Sequence, residues 1–324
     1  MIRILLSALF PGGKAAKLPT LIFHRVLAKP DELFPDEVDV VRFKQICVWL
    51  KRWFHVLPLD QAVELLEAGR LPARAVCITF DDGYADNHDL AMPILRALGL
   101  PATFFIATAY LNGGRMWNDS VIESIRRCSA PELNLDDLVE GLSLGRYVLG
   151  SPQQRRSAID QVLRQIKYLE PSQRLLLTEK LAERAQVKLP NDLMMSSEQV
   201  KAMHAAGMQI GAHTATHPIL ARLDAQAARL EILSSKQRLE ALLQAPVPLF
   251  AYPNGQPGLD YTPETAAVVK SLGFHAAVST AWGAADSRQF DLMQLPRFTP
   301  WDRSAWRFLL RMWRNAFRQK VVTV

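Results

Sequence analysis

The chain has 324 residues, 49% of them hydrophobic, with 38 basic side chains, 32 acidic ones and seven histidines. That length and apolar content bury a sizeable core and exclude a disordered chain. Cys47, Cys77 and Cys128 cannot all pair, which excludes a disulfide-built scaffold; read as reduced thiols, they favour the cytoplasm. No segment is long enough to span a bilayer, and no repeat or low-complexity tract stands out.

The opening MIRILLSALF is apolar with one arginine, but short for a signal segment, and PGGKAAK follows where a small-residue cleavage site would stand. An uncleaved interfacial helix is the other reading. PTLIFH (19–24) is the first strand candidate and ends on His24. VRFKQICVWLKRWF, with Phe43, Ile46, Val48 and Leu50 among basic residues, and LDQAVELLEAG read as amphipathic helices. AVCITF (75–80) is β-branched, apolar or aromatic and reads as a buried strand. It runs straight into Asp81, Asp82 and a glycine turn. A helix cap or an Asx-turn suits DDG. So does a metal, a cation or a reaction, because a carboxylate buried without a partner is costly.

LAMPILRALG and ATFFIA (102–107) continue the helix–strand alternation, which then stops from about 110 to 195. The second half of this interruption reads as two helices broken at Glu170-Pro171. SEQVKAMHAAG and MQIGA (208–212) restore the alternation and lead into HTATHP. His213 and His217 are four residues apart, which on a helical turn places both imidazoles on one side. A histidine pair alone is more often incidental than not. Joined to a strand-end aspartate, it makes one carboxylate and two imidazoles, an open ligand set for Zn²⁺.

DAQAARLEILSSKQRLEALL, PLFAY (248–252), PETAAVVKSLG, FHAAVS (274–279) and LMQLPRF (292–298) complete seven strand candidates and their helices. Several of the helices end in glycine. Such alternation predicts a parallel sheet with helices outside, without separating a barrel from a doubly wound sheet. The tail from Trp301 carries six basic residues and one acidic, against a whole-chain net charge of +6. Trp306, Leu309, Leu310, Trp313 and Phe317 share one helical face, and Arg307, Arg311, Arg314 and Arg318 form a second stripe. Either the helix lies on an anionic membrane surface, or it docks by its aromatic face with the arginines solvated. Nucleic acid is disfavoured, because the charge is confined to one tail with no recognisable module.

TFDDG, HTATHP and FAYPNG resemble, in order, the three motifs of the polysaccharide deacetylases, also called the NodB-homology or carbohydrate esterase family 4 enzymes. The resemblance covers roughly residues 18–300. It implies an α/β fold, a distorted (β/α)₇ barrel, here with a helical insertion at about 110–195 and a basic amphipathic C-terminal helix in 301–324. It implies Asp81 as catalytic base and Asp82, His213 and His217 as ligands of a divalent metal. Zn²⁺ is the first choice, though these donors also accept Co²⁺, Ni²⁺ or Fe²⁺. Water bound to that metal would be the nucleophile, and the backbone N–H of Tyr252 would help hold the oxyanion. FAYPNG also suits a simple turn after a strand. Trp117, in MWND, either stacks on a sugar ring or anchors the insertion, the commoner fate of a tryptophan.

Two departures from the family pattern matter. Leu249-Phe250-Ala251 stands where many members have an arginine, and LMQLPRFTP lacks the late histidine that protonates the leaving amine. The chemistry still needs an acid. His24, in LPTLIFHRV, is similar to the Y-H-x-[IVL] opening of a subgroup that includes poly-N-acetylglucosamine deacetylases, where the acid comes from the first strand. Arg297, in LPRF, is the candidate to orient Asp81. The implied activity is metal-dependent removal of an acetyl group from an N-acetylated sugar of a glycan or lipid-linked saccharide. Envelope or exopolysaccharide synthesis, in the cytoplasm at the inner membrane face, would fit it. The alternatives are a non-catalytic glycan-binding member, or a deacetylase of a non-sugar amide or an O-acetyl ester.

Overall fold

In the computed structural model, which describes residues 2–139, 142–318 and 321–324, the alternation becomes strands and helices in this order. The strands are β1 (Lys17–Phe23), β2 (His55–Val56), β3 (Ala75–Phe80), β4 (Thr103–Ile106), β5 (Glu132–Asn134), β6 (Arg146–Val148), β7 (Gln209–Ala212), β8 (Leu249–Ala251), β9 (Ala276–Val278) and β10 (Ala284–Asp286). The helices are α1 (Ile2–Leu9), α2 (Val40–Trp53), α3 (Leu59–Glu67), α4 (Met92–Leu98), α5 (Trp117–Arg127), α6 (Pro152–Ile166), α7 (Pro171–Arg184), α8 (Ser197–Ala205), α9 (Ala225–Leu243), α10 (Pro263–Ser271) and α11 (Ala305–Ala316).

The chain folds as two compact units. The first comprises residues 1–29, 38–112 and 195–324. Its sheet has the order β10-β1-β3-β4-β7-β8-β9, with β2 paired to the start of β3. All neighbours run parallel except β10, which runs against β1. The expected strand LMQLPRF is not continuous. Leu295 bridges to Val278 of β9 and Phe298 bridges to Leu21 of β1, so the segment links β9, at one end of the curled sheet, to β1 near the other. Pro296 lies between these bridges and has no N–H to donate, which explains two isolated contacts in place of a strand.

The parallel arrangement needs both faces covered, and β3 is buried along its whole length. Phe80 at its end stacks on Phe104 and Phe23, at 4.7 and 5.2 Å between ring centres. Side chains of Asp39, Ser196, Asp224 and Thr262 cap the N-termini of α2, α8, α9 and α10. Because the strands run one way, their C-terminal ends meet at one side. His24, Asp81 and His213 each follow directly on such an end.

The second unit comprises residues 30–37 and 113–194. It contains α5, α6, α7 and the antiparallel pair β5–β6, around a core that includes Leu33, Val121, Ile125, Ile159, Val162, Leu177 and Leu181. Pro171 opens α7, which places the break where the sequence suggests it. Trp117 is half-buried against this core, with the Arg174 guanidinium 4.6 Å from its ring centre. The segment 30–37 is an unforeseen member, held by an Asp31–Arg126 pair at 2.7 Å and by Arg156 over the Phe34 ring.

Helix α11 packs into the first unit through Phe308, Leu309, Met312 and Ala316. The face that docks is therefore not the tryptophan face: Trp306, Leu310, Trp313 and Phe317 are exposed, and Leu309 parts company with them. Among the described residues, no helix is long and apolar enough to cross a membrane.

Gly211 in β7 is a packing requirement. A Cβ there would meet ring atoms of Phe105 at 2.4 and 2.5 Å and the Leu249 carbonyl at 3.1 Å. Gly211→Ala is expected to cost about 1–3 kcal/mol by overpacking. A denaturant titration should show a lower midpoint at unchanged slope; an unaltered midpoint would mean that the β4–β7 layer yields freely.

Candidate active site

Asp81 and Asp82 leave β3 in opposite senses. The Asp81 N–H donates to the Phe23 carbonyl at 3.0 Å, continuing the β1–β3 pairing, and its carboxylate is buried. Both of its oxygens accept from Arg297: Nη1 to Oδ1 and Nη2 to Oδ2, each at 2.7 Å. Arg297 is itself fully buried, and also donates to the Ser279 carbonyl at 3.0 Å and to Thr79 Oγ1 at 3.1 Å. Burial opposes ionisation of Asp81, but the Arg297 and His213 charges outweigh it and hold its pKa below the ordinary 3.8.

Asp82 turns the other way at φ 79°, and Gly83 follows at φ 89°. A left-handed conformation is costly for a residue with a Cβ. It directs the Asp82 carboxylate at the histidines. Oδ1 lies 3.4 Å from Nε2 of His213 and 3.4 Å from Nε2 of His217. One ligand atom from each of the three residues lies within 4.8 Å of the others. Oδ1 is buried and has no hydrogen-bond partner. A buried anionic oxygen without a donor, facing two imidazole nitrogens, is the arrangement that a divalent cation satisfies.

The ring orientations agree. His213 Nδ1 lies 2.7 Å from the Ala251 carbonyl, so it carries a proton, and Nε2 is the ring atom turned toward Asp82. Burial drives the His217 pKa down to about 4, aided by His213 and His24 and opposed by Asp82, so its ring is neutral at pH 7. Burial also pushes the Asp82 carboxyl up, but the three imidazoles reverse this and hold it well below the usual carboxylate range. For His213, burial lowers the pKa, and the two aspartates more than offset it.

The loop carrying the histidines is strained and clamped. Thr214 and His217 have φ of 62° and 55°, the first unusual for a β-branched residue. The Thr214 hydroxyl accepts the His217 N–H at 3.1 Å. Glu231 of α9 accepts the N–H groups of Ala215 and Thr216 at 3.0 and 2.8 Å, and the Thr216 hydroxyl at 2.8 Å. Nothing in the α9 sequence marks Glu231, which looks like any polar-face glutamate.

His24 stands at the end of β1 with its ring exposed, close enough to influence the ionisation of Asp81, Asp82 and His217. Its backbone is fixed by the far half of the ITFDDGYADN stretch. Asn87 donates to the His24 carbonyl at 2.9 Å, and Asp86 receives Arg25 at 2.8 Å and the Val26 N–H at 3.1 Å. Tyr252 is a correction. Its N–H donates to the Val278 carbonyl at 3.2 Å, extending the β8–β9 pairing, so it is not available to an oxyanion. Its ring stacks on Tyr261 at 3.9 Å within the core.

The curled parallel sheet thus carries at its strand ends an arginine-clamped aspartate and, beside it, an Asp-His-His cluster that could hold a metal ion. The chain belongs to the polysaccharide deacetylase family, whose model matches residues 68–132 and 157–277. The Bacillus subtilis (strain 168) protein YxkH is 24% identical over 285 residues, 87% of this chain and 71% of its own length. The poly-beta-1,6-N-acetyl-D-glucosamine N-deacetylase of Staphylococcus epidermidis is 31% identical over 103 residues, 32% of this chain and 36% of the relative. Among solved structures, the Streptococcus pyogenes deacetylase PplD superposes with a TM-score of 0.61 at 20% identity, over 92% of this chain and 99% of its own. IcaB from Ammonifex degensii superposes at 0.58 and 20% identity, over 94% and 99%. These two likenesses establish the fold.

Substitutions at two residues test the clamps. Arg297→Met leaves Asp81 as a buried unpaired carboxylate, expected to cost about 3–5 kcal/mol at neutral pH. The native Asp81 pKa is depressed, so its contribution is present above the unfolded value and lost as pH falls through the native one. The stability gap between wild type and variant should therefore narrow below pH 3.8, and a gap constant from neutral pH to pH 2 would refute the assignment. Glu231→Ala should weaken divalent-metal retention about tenfold through the loosened loop. Glu231→Gln, whose carbonyl oxygen can accept both N–H groups, should restore most of it. Equal loss in both, measured by metal titration, would show that the charge matters and not the loop.

Proposed function

We propose that the chain is a metal-dependent N-deacetylase acting on an N-acetylated glycan. The observation that carries this reading is the pairing, at one strand end, of a carboxylate held ionised by a buried arginine with a neighbouring carboxylate oxygen left for a cation. The name of the Staphylococcus epidermidis relative makes poly-β-1,6-N-acetylglucosamine the first substrate to try.

Asp82, His213 and His217 would hold the metal, with Zn²⁺ the best match for two imidazoles and one carboxylate. Bound there, a divalent cation supplies Lewis acidity that activates water and polarises the acetyl carbonyl. Asp81 takes the proton of the attacking water. Arg297 occupies one lone pair on each Asp81 oxygen and leaves others free, so the clamp orients the base without blocking it. The turn after β8 offers one amide to the developing oxyanion. The Tyr252 N–H is committed, Pro253 has none, and the Gly255 N–H turns back to the Pro253 carbonyl at 2.6 Å. This leaves Asn254, at φ 58°. His24 protonates the departing nitrogen, and the C–N bond breaks to acetate and a free amine.

Acetate release by purified, metal-loaded protein tests the reading on poly-β-1,6-N-acetylglucosamine, other N-acetylated glycans, lipid-linked saccharides, and O-acetyl and non-sugar amide controls. Asp81→Asn and His24→Ala should each lower turnover about 10²–10⁴-fold at unchanged metal content. Near-normal turnover in His24→Ala would remove that residue from the mechanism. Absence of release by wild type from every substrate would leave the non-catalytic glycan-binding alternative.

A further inference from the structure

Helix α11 has three faces. Phe308, Leu309, Met312 and Ala316 are docked in the core. Trp306, Leu310, Trp313 and Phe317, spaced i, i+4, i+7 and i+11, form an apolar stripe that faces solvent; Trp306 is 73% exposed. Arg307, Arg311, Arg314 and Arg318 repeat the same spacing one residue on, so the cationic stripe flanks the aromatic one along the whole helix. A docked helix needs one apolar face, so a second one rich in tryptophan calls for an occupant.

The arginines indicate its charge. Arg311 is spent inside the protein: it pairs with Asp302 at 2.5 and 3.0 Å and lies 4.2 Å from the Trp301 ring centre. Arg307, Arg314 and Arg318 make no ion pair or side-chain hydrogen bond among the described residues. With Trp282, Trp301 and Leu310 they line an open groove of about 530 Å³. Unpaired guanidiniums match phosphate oxygens in geometry and charge. The N-terminal helix adds to the surface. In α1, Ile4 and Leu5 are 77% and 61% exposed. Phe10, just beyond α1, meets Phe317 edge-on at 6.5 Å, so the ends of the two helices adjoin.

We propose that α11, with α1 beside it, docks the protein on a bilayer surface bearing anionic phospholipid headgroups. The tryptophan stripe enters the interface, where an apolar ring with a polar N–H is at home. Arg307, Arg314 and Arg318 take headgroup phosphates. The docked face keeps the helix in the fold, so association needs no unfolding of the tail.

The experiment is flotation of the full chain with vesicles of phosphatidylcholine alone or mixed equally with phosphatidylglycerol. Wild type should float with the mixed vesicles, not with phosphatidylcholine, and detach at high salt. An Arg307→Gln, Arg314→Gln, Arg318→Gln variant should lose about fivefold per arginine in partitioning. A Trp306→Ser, Trp313→Ser variant should fail to float even at low salt. These positions are solvent-facing, and a thermal melt unchanged from wild type confirms folding. Three outcomes would overturn the proposal. The first is equal flotation of wild type and both variants, or flotation of none. The second is release of wild type from vesicles by millimolar inorganic phosphate at constant ionic strength, which would mark a soluble-phosphate site. The third is a wild-type dimer, indifferent to vesicles, that the tryptophan variant turns monomeric; a second copy would then be the occupant.

Discussion

The buried ion pair between Arg297 and Asp81 is the constraint on which the rest of the site depends. Taking two charges out of water costs several kcal/mol per ion, and only a close pair with its remaining donors satisfied survives. Arg297 meets that condition. Nη1 and Nη2 hold the two Asp81 oxygens, Nη1 also donates to Thr79 Oγ1, and Nε reaches the Ser279 carbonyl. One side chain thereby joins the end of β3, the end of β9 and the segment that bridges β9 to β1. The position of the proposed base and the closure of the sheet are aspects of one contact. Removing the guanidinium would disturb both, which is why its test reads stability.

With Asp81 fixed, Asp82 becomes a different kind of acid. Its backbone pays the strain of a left-handed conformation, and its Oδ1 is left without a donor. Thr214, His217 and Asn254 adopt the same unusual region in the two other motif loops. Strain of this kind persists only where surrounding contacts over-determine it. Here those contacts are visible: the Thr214 hydroxyl holds the His217 amide, and Glu231 holds the two amides between the histidines. A pre-bent loop, held by these contacts, places the Nε2 atoms of both histidines 3.4 Å from the carboxylate.

What could be read in the sequence follows from the range of the interactions. DDG and HTATHP are local, because a strand end and a short turn suffice to place their donors, and the helix–strand alternation sufficed for a parallel sheet. Arg297 was legible only by its absence elsewhere, from the missing arginine near Leu249. Tyr252 failed for a geometric reason. Whether a strand-end amide points at a neighbour or at the site depends on register, and the β8–β9 register turns this one to Val278. Asn87 and Glu231 act on residues 63 and 15 or 16 positions away, and no local pattern announces such contacts. In the tail, periodicity found two stripes but not a third. Leu309 sits at the margin between the aromatic stripe and the docked face, and only packing decides which it joins.

The histidine that LMQLPRFTP lacks and the one at the end of β1 are less distant than the sequence implies. Phe298, at the end of the late segment, pairs with Leu21, and the Ile22 N–H donates to the Phe298 carbonyl at 3.1 Å. Closing the sheet makes the last segment and the first strand neighbours, so either can present a side chain at the same edge. The late segment already carries Arg297 to the base, and Pro296 keeps it from forming a regular strand. A proton donor on β1, as proposed, would separate two tasks that would otherwise fall on one short segment. That arrangement would tie Asp86 and Asn87 to the aspartate pair. They follow Asp81 and Asp82 by a few residues; Asn87 holds the His24 carbonyl and Asp86 the Val26 N–H. One stretch of chain thus sets the proposed base, the carboxylate of the Asp-His-His cluster and, through β1, the position of the proposed acid.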